Sequence, residues 1–155
     1  MTKIKEHDIF ITTTDTVLGI GGKVNDINKE KIYKIKKRDY TKPLIIVIGS
    51  LEQLKSLENI NEEHLKYINK YWPGNVTLII NNQGYRMPNN KGLLNLILNE
   101  GPFYLTSCNI SNQETIRTIQ EAKKIFPNLI YFDFGPGSNK ASQIIDTKTG
   151  KVIRD

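Results

Sequence analysis

Leu44-Ile45-Ile46-Val47-Ile48 is an unbroken apolar run. It leaves no alternate position for water, so a strand here must be covered on both faces. That points to helices packed against a sheet. Other short runs have the same character. Asp8 to Thr13, Val76 to Ile80, Phe103 to Thr106, Leu129 to Phe132, Gln143 to Asp146 and Val152 to Ile153 all read as strands.

Helical spacing fills the intervals. Asn28 to Lys37 reads as a helix capped by Asn28, with Ile32 and Ile35 on one face, and Thr41-Lys42-Pro43 breaks it. Ser50 is placed to cap a helix carrying Leu51, Leu54 and Leu57. Asn61 is placed to cap another, carrying Leu65, Ile68 and Trp72, which Pro73-Gly74 ends. Gly92 to Asn99 reads as a short helix. The strongest helical stripe is Glu114 to Phe126, through Ile116, Ile119, Ala122 and Phe126. Gly19-Ile20-Gly21-Gly22-Lys23 reads as a turn into the first helix, and Asn81-Asn82-Gln83-Gly84 as another turn. Val76 to Arg86 and the carboxyl end look like strand-turn-strand, so a mixed α/β sheet, partly antiparallel, is expected.

At 155 residues one domain over 1–155 is expected, with a core that needs neither metal nor disulfide. The single cysteine, Cys108, excludes an internal disulfide framework. His7 and His64 show no metal-ligand spacing. No run approaches the ~18 apolar residues a membrane span needs. The first residues lack a signal peptide's apolar region, so the expected compartment is the cytoplasm. The net charge of +6 suits an anionic partner such as a nucleotide or nucleic acid, although abundant Lys, Ile and Asn together suggest coding bias.

Polar clusters stand where strands should end. They are Thr13 to Gly19, Lys36 to Leu44, Tyr71 to Thr77, Thr106 to Ser111 and Ser142 to Asp146. Lys36 and Arg38 supply fixed positive charge, and Arg38 can fork onto two phosphate oxygens. Ser107 and Asn109, two apart in an extended segment, would point the same way as neutral donors. Such a set suits a polyphosphate with a metal ion. Taken alone, Lys36-Lys37-Arg38 reads rather as a solvated helix end favoured by the helix dipole, and Thr106 to Asn109 rather as a turn and helix cap. Nucleotide fingerprints are missing. Gly19 to Lys23 has the wrong spacing for a P-loop, and Val24 stands where a dinucleotide motif needs its third glycine.

The order of the clusters resembles the YrdC/TsaC family of threonylcarbamoyl-AMP synthases. Thr13 to Ile20 is similar to that family's Pro-Thr-Asp-Thr-Val-Tyr-Gly-Leu segment, and Lys36, Arg38 and Lys42-Pro43-Leu44 match its Lys-x-Arg and Lys-Pro-Leu. Trp72 to Thr77 resembles Trp-Pro-Gly-Pro-x-Thr, and Tyr85 to Asn90 resembles Val-Arg-x-Pro-x-His. Gly101 to Ser111 resembles Gly-Pro-hydrophobic-x-Thr-Ser-Ala-Asn-x-Ser. Ala141 to Asp146 resembles Pro-Ser-x-Ile-x-Asp, and Arg154 fits a late arginine. Departures are Thr13 for proline, Leu18 for tyrosine, Asn90 and Val47 for histidines, and Cys108 for alanine. Cys108 therefore reads as a small buried thiol rather than a nucleophile.

The resemblance implies a twisted, mixed parallel and antiparallel sheet flanked by helices around a concave, positively charged cleft. It also implies a trimmed family core, without the helix before the first strand or the extra domain of long-form members. The implied reaction condenses L-threonine, bicarbonate or CO2, and ATP to threonylcarbamoyl-AMP and pyrophosphate, for modification of tRNA. Lys36 and Arg38 would meet the triphosphate, and Ser107 and Asn109 would hold phosphate oxygens and orient the carbamate. Thr14, Thr16 and Thr106 would line the substrate site, and Ser142 would contact the nucleotide. Arg86 would bind the threonine carboxylate or a phosphate. Asp15 is either a substrate contact or an Asx-type turn residue. Arg154 is either a structural ion pair or a phosphate contact. Mg²⁺ would bind through ATP oxygens and water, with no protein ligand. Implied partners are a threonylcarbamoyl-transferase complex and direct tRNA or RNA contact, but no membrane. The alternative is a non-catalytic RNA-binding module on the same basic concavity, although an aromatic stacking platform is lacking. A carbamoyl-transfer domain of the hydrogenase-maturation type and an inactive structural relative are the remaining readings.

Overall fold

The computed structural model describes residues 3–155. Its strands are β1 (Phe10–Thr12), β2 (Gly19–Lys23), β3 (Ile45–Val47), β4 (Val76–Ile80), β5 (Gln83–Arg86), β6 (Phe103–Ser107), β7 (Ile130–Phe132), β8 (Gln143–Asp146) and β9 (Val152–Arg154). Its helices are α1 (Asp26–Lys36), α2 (Leu51–Leu57), α3 (Glu62–Tyr71), α4 (Lys91–Glu100) and α5 (Ile119–Ile125). The strands form one sheet in the order β7-β1-β2-β6-β3-β5-β4-β8-β9. Pairs β1/β7, β3/β5 and β4/β8 are parallel and the remaining five are antiparallel. The mixed sheet expected from the sequence is thus present. Strand β3, from the apolar run, lies near its centre between β5 and β6.

Period-2 alternation assigns the two faces. Ile11, Ile20, Ile46, Leu78, Tyr85 and Ile145 face one way, where α1, α2, α3 and α5 cover them. Phe10, Val47, Phe103 and Leu105 face the other way, under Leu93, Leu96 and Ile97 of α4. Helix α4 reaches only part of that second face.

Four local readings change. Gly19 to Lys23 is strand β2 and not a turn. A Cβ on Gly21 would lie 2.1 Å from the Tyr104 carbonyl oxygen, so glycine permits the close approach of β6. Helix α1 is capped by Asn25, whose Oδ1 accepts the Asn28 N–H at 2.8 Å. Asn28 is instead buried inside the helix, donating to the carbonyls of Glu6 and Lys23 at 2.8 and 2.9 Å. The stripe from Glu114 is helical only in α5, after the Thr118 cap. Ile116 reaches the core from an extended segment whose N–H bonds to the Cys108 carbonyl at 2.9 Å. β-Branched Thr115, Ile116 and Thr118 favour that extension. The β4–β5 turn is only Asn81-Asn82, both at positive φ, and Gln83 and Gly84 belong to β5.

Candidate active site

Where α4 stops, the second face of the sheet floors a cavity of about 530 Å³. Ile45, Ile79, Leu105 and Ile144 give it an apolar floor. Thr77, Arg86 and Ser107 share this face, which explains polar side chains in otherwise apolar strands. Arg38, Lys42, Arg86 and Arg154 line the cavity, and no carboxylate among the described residues does.

Lys36 ends α1 with 1% exposure. Its Nζ donates to the Ser107 carbonyl, to Ser107 Oγ at 3.3 Å and to Asn109 Oδ1 at 2.9 Å. Ser107 Oγ in turn donates to Asn109 Oδ1 at 2.8 Å. Asn109 Nδ2 donates to the Gln113 carbonyl at 2.7 Å, and the Ser111 N–H to the Lys36 carbonyl at 2.7 Å. The end of α1 is thereby locked to the end of β6 and the segment just past it, 71 to 73 positions away in the chain. No carboxylate forms an ion pair with Lys36 or Arg38 among the described residues. Burial, then the neighbouring Arg38 charge, pulls the Lys36 ammonium down to about 8. Cys108 is fully buried and its thiol is pushed up to about 12, chiefly by burial, so it is held protonated.

Arg38 lies just past α1, after Lys37 in the left-handed conformation. Its Nε donates to the Lys42 carbonyl at 3.3 Å and its Nη2 to the Pro43 carbonyl at 3.0 Å. These bonds fold the Lys42-Pro43 breaker against the cavity mouth.

A second cluster joins the β1–β2 loop to β5. Arg86 Nη1 donates to Asp15 Oδ1 at 2.7 Å and to the Gly74 carbonyl at 3.1 Å, and Nη2 donates to Thr16 Oγ1 at 3.1 Å. Asp15 Oδ2 accepts the Asn89 N–H at 2.8 Å. Asp15 is therefore ion-paired, and the local turn bonds come from its neighbour. Thr14 Oγ1 donates to the Val17 carbonyl at 2.6 Å and accepts the Thr16 N–H at 2.9 Å.

The third cluster sits on β4, β8 and β9. Ser142 Oγ lies 2.8 Å from Thr77 Oγ1. Arg154 Nε donates to the Ser142 carbonyl at 2.8 Å and Nη2 to Ser142 Oγ at 3.2 Å. Burial first, then the Arg86 charge, makes Arg154 easier to deprotonate than usual.

Of the residues singled out from sequence, Thr14, Thr16, Arg38, Arg86, Thr106, Ser107, Ser142 and Arg154 line one cavity. Lys36, Asn109 and Asp15 stand immediately behind it through the bonds above. In the sequence Lys42 and Thr77 stand only as parts of motifs, with no site role assigned to them or to the isoleucine floor. The signal was present in Val76 to Ile80, where Thr77 and Ile79 alternate with core positions. Asn90, in place of a motif histidine, caps α4 by accepting the Leu93 N–H at 3.0 Å and donates to the Phe134 carbonyl at 3.2 Å. Thr13, in place of a motif proline, accepts the Phe134 N–H at 2.6 Å. No group of three or more His, Cys, Asp or Glu among the described residues could hold a metal ion, and no helix among them is long and apolar enough to cross a membrane.

The sequence that folds into this mixed sheet matches a known family model. The Sua5/YciO/YrdC model, described as "Telomere recombination", covers residues 2–155, and the chain belongs to that family. A Methanocaldococcus jannaschii protein named putative threonylcarbamoyl-AMP synthase is 30% identical over 167 residues, covering 97% of this chain and 80% of that protein. The uncharacterized protein MG259 of Mycoplasma genitalium is 39% identical over 104 residues, which cover 67% of this chain but only 21% of that protein. The crystal structure of P. abyssi Sua5 complexed with L-threonine superposes with a TM-score of 0.82 at 28% identity, over 92% of this chain and 48% of that one. The chain thus spans about half of that Sua5 and about a fifth of MG259.

Proposed function

We propose that the protein is an L-threonylcarbamoyladenylate synthase, a nucleotidyltransferase that condenses L-threonine, bicarbonate or CO2, and ATP. The observation that carries this reading is the buried Lys36 ammonium beside Arg38, with no carboxylate ion pair among the described residues, immediately behind a cation-lined cavity. Uncompensated buried cations favour an anion that brings its own charge. The relatives named for this activity and the threonine-bound Sua5 supply the chemistry to consider.

The threonine amine takes up carbon from bicarbonate to give a carbamate, with loss of water. A carbamate oxygen then attacks the α-phosphorus of ATP, and the bond to pyrophosphate breaks. Such a transfer needs positioning and charge neutralisation rather than a protein nucleophile. In this reading Lys36 and Arg38 draw the triphosphate, and Lys36 also holds Ser107 and Asn109 ready to orient phosphate and carbamate oxygens. Arg154 and Ser142 contact the nucleotide, and the isoleucine floor carries its base. Arg86 is already balanced by Asp15, so it suits the singly charged carboxylate of threonine, between Thr14 and Thr16. Mg²⁺ would come with ATP rather than on protein ligands and would supply charge neutralisation at the triphosphate. The product serves tRNA modification through a threonylcarbamoyl-transferase complex.

The test is pyrophosphate release from ATP by the purified protein. Release that needs both L-threonine and bicarbonate is expected. Release unchanged when threonine is omitted refutes the reading.

A further inference from the structure

We infer that Asp15 is a positioning residue, which fixes the Arg86 guanidinium and the loop after β5 without touching substrate itself. This rests on the reading of Arg86 as the carboxylate-binding cation.

Both Asp15 oxygens are already used. Oδ1 meets Arg86 Nη1 at 2.7 Å and Oδ2 accepts the Asn89 N–H at 2.8 Å. Its neighbours Thr14 and Thr16 line the cavity, and Asp15 does not. The ion-paired side chains are only 12% exposed at Asp15 and 6% at Arg86. Asp15 is also the one carboxylate in ion-pair contact with a cavity cation among the described residues.

The bond pattern gives this contact a geometric consequence. Asp15, Gly74 and Thr16 accept three of the five N–H bonds of Arg86. What remains is Nε–H and one N–H on Nη2, so the orientation of the fork decides what a carboxylate can meet. Arg154 is close enough for its charge to feel that of Arg86. Without Asp15, mutual repulsion would turn the Arg86 fork away from Arg154.

Asp15 is itself held rigidly. Its carbonyl accepts the Ser138 N–H at 3.1 Å, and that of Thr16 accepts the Asn139 N–H at 3.0 Å. A Cβ on Gly137 would lie 2.4 Å from the carbonyl oxygens of both Thr14 and Thr16, so backbone packs on backbone there. The segment joining β7 to β8 thus clamps the Asp15 loop, and Asp15 transmits that fixed position to Arg86.

The experiment is steady-state pyrophosphate release by the wild type, Asp15→Asn, Arg86→Gln and the double variant, with thermal melts of each. Asp15→Asn is expected to raise KM for threonine about 10²-fold while KM for ATP stays near the wild-type value. In the Arg86→Gln background the same change is expected to add nothing. A wild-type KM for threonine in Asp15→Asn overturns the inference, and so does an undiminished effect in that background. If Asp15→Asn does not melt cooperatively, Asp15→Glu carries the same test, since it keeps the charge and displaces the fork. It is expected to raise KM for threonine alone, and an unchanged KM overturns the inference. Wild-type protein without threonine-dependent release overturns the functional reading and this inference together, and it does so before any variant is compared.

Discussion

The second face of the sheet has two halves, built from the same alternating strands and used differently. Under α4, Phe10 and Phe103 close into a core with Leu93, Leu96 and Ile97, and Val47 and Leu105 stand on the border between the halves. Beyond α4, the corresponding positions on β4 and β5 are Thr77, Ile79, Gly84 and Arg86, which border a cavity. The covered half contributes stability by burying apolar surface. The open half holds buried polar groups that a core would exclude, each bonded to protein or facing the cavity. Function is therefore sited where the layer architecture is left unfinished.

Phe103→Ala separates the halves most sharply. Phe103 is fully buried against Phe10, with ring centroids 4.9 Å apart. The loss is expected to be about 3–5 kcal/mol in denaturant unfolding, with KM values of the folded fraction unchanged. A large KM change would show that the halves are not independent.

Lys36→Met inverts that result. Turnover is expected to fall at least about 10²–10³-fold, with a melting temperature no lower than wild type, because an uncompensated buried charge is removed. Retained turnover would remove Lys36 from the site.

The pH profile follows with a smaller effect. With Lys36 near 8 in the free protein, kcat/KM for ATP is expected to drop about tenfold per pH unit above that value. A bound phosphate favours the ammonium, so the fall in kcat lies at higher pH. The same shift has a sign in stability. Between about 8 and the ordinary 10.5 the unfolded chain holds a proton on Lys36 that the folded chain has lost. Wild type should therefore gain stability relative to Lys36→Met as pH rises through that window. A flat difference would contradict the burial of a charged Lys36.

The smallest effect is at Ser142→Ala, which removes a hydroxyl shared by Thr77 and Arg154. KM for ATP is expected to rise about tenfold, with the fold intact.

The two halves were not equally legible in the sequence. Apolar runs such as Leu44 to Ile48 and Val76 to Ile80 announce strands because burial dictates their composition. Side-chain caps at Ser50 and Asn61 were legible because each accepts an N–H within its own helix. Strand β2 was hidden because its glycines answer to the Tyr104 backbone, more than 80 positions away. Ile116 misled for a related reason, since its apolar spacing continues the α5 stripe while its backbone pairs with Cys108. Site cations could be picked out by type, but their pairing could not. Nothing local says that Arg86 meets Asp15 or that Lys36 meets Ser107 and Asn109, because the sheet order creates those contacts.

The central claim is that the open half holds a nucleotide and threonine on this particular set of cations. A crystal structure with ATP and L-threonine tests it most directly. The account predicts phosphate oxygens within hydrogen-bond distance of Arg38 and Ser107, and the threonine carboxylate on Arg86. A nucleotide bound elsewhere, with Arg38 and Arg86 contacting neither ligand, would contradict it.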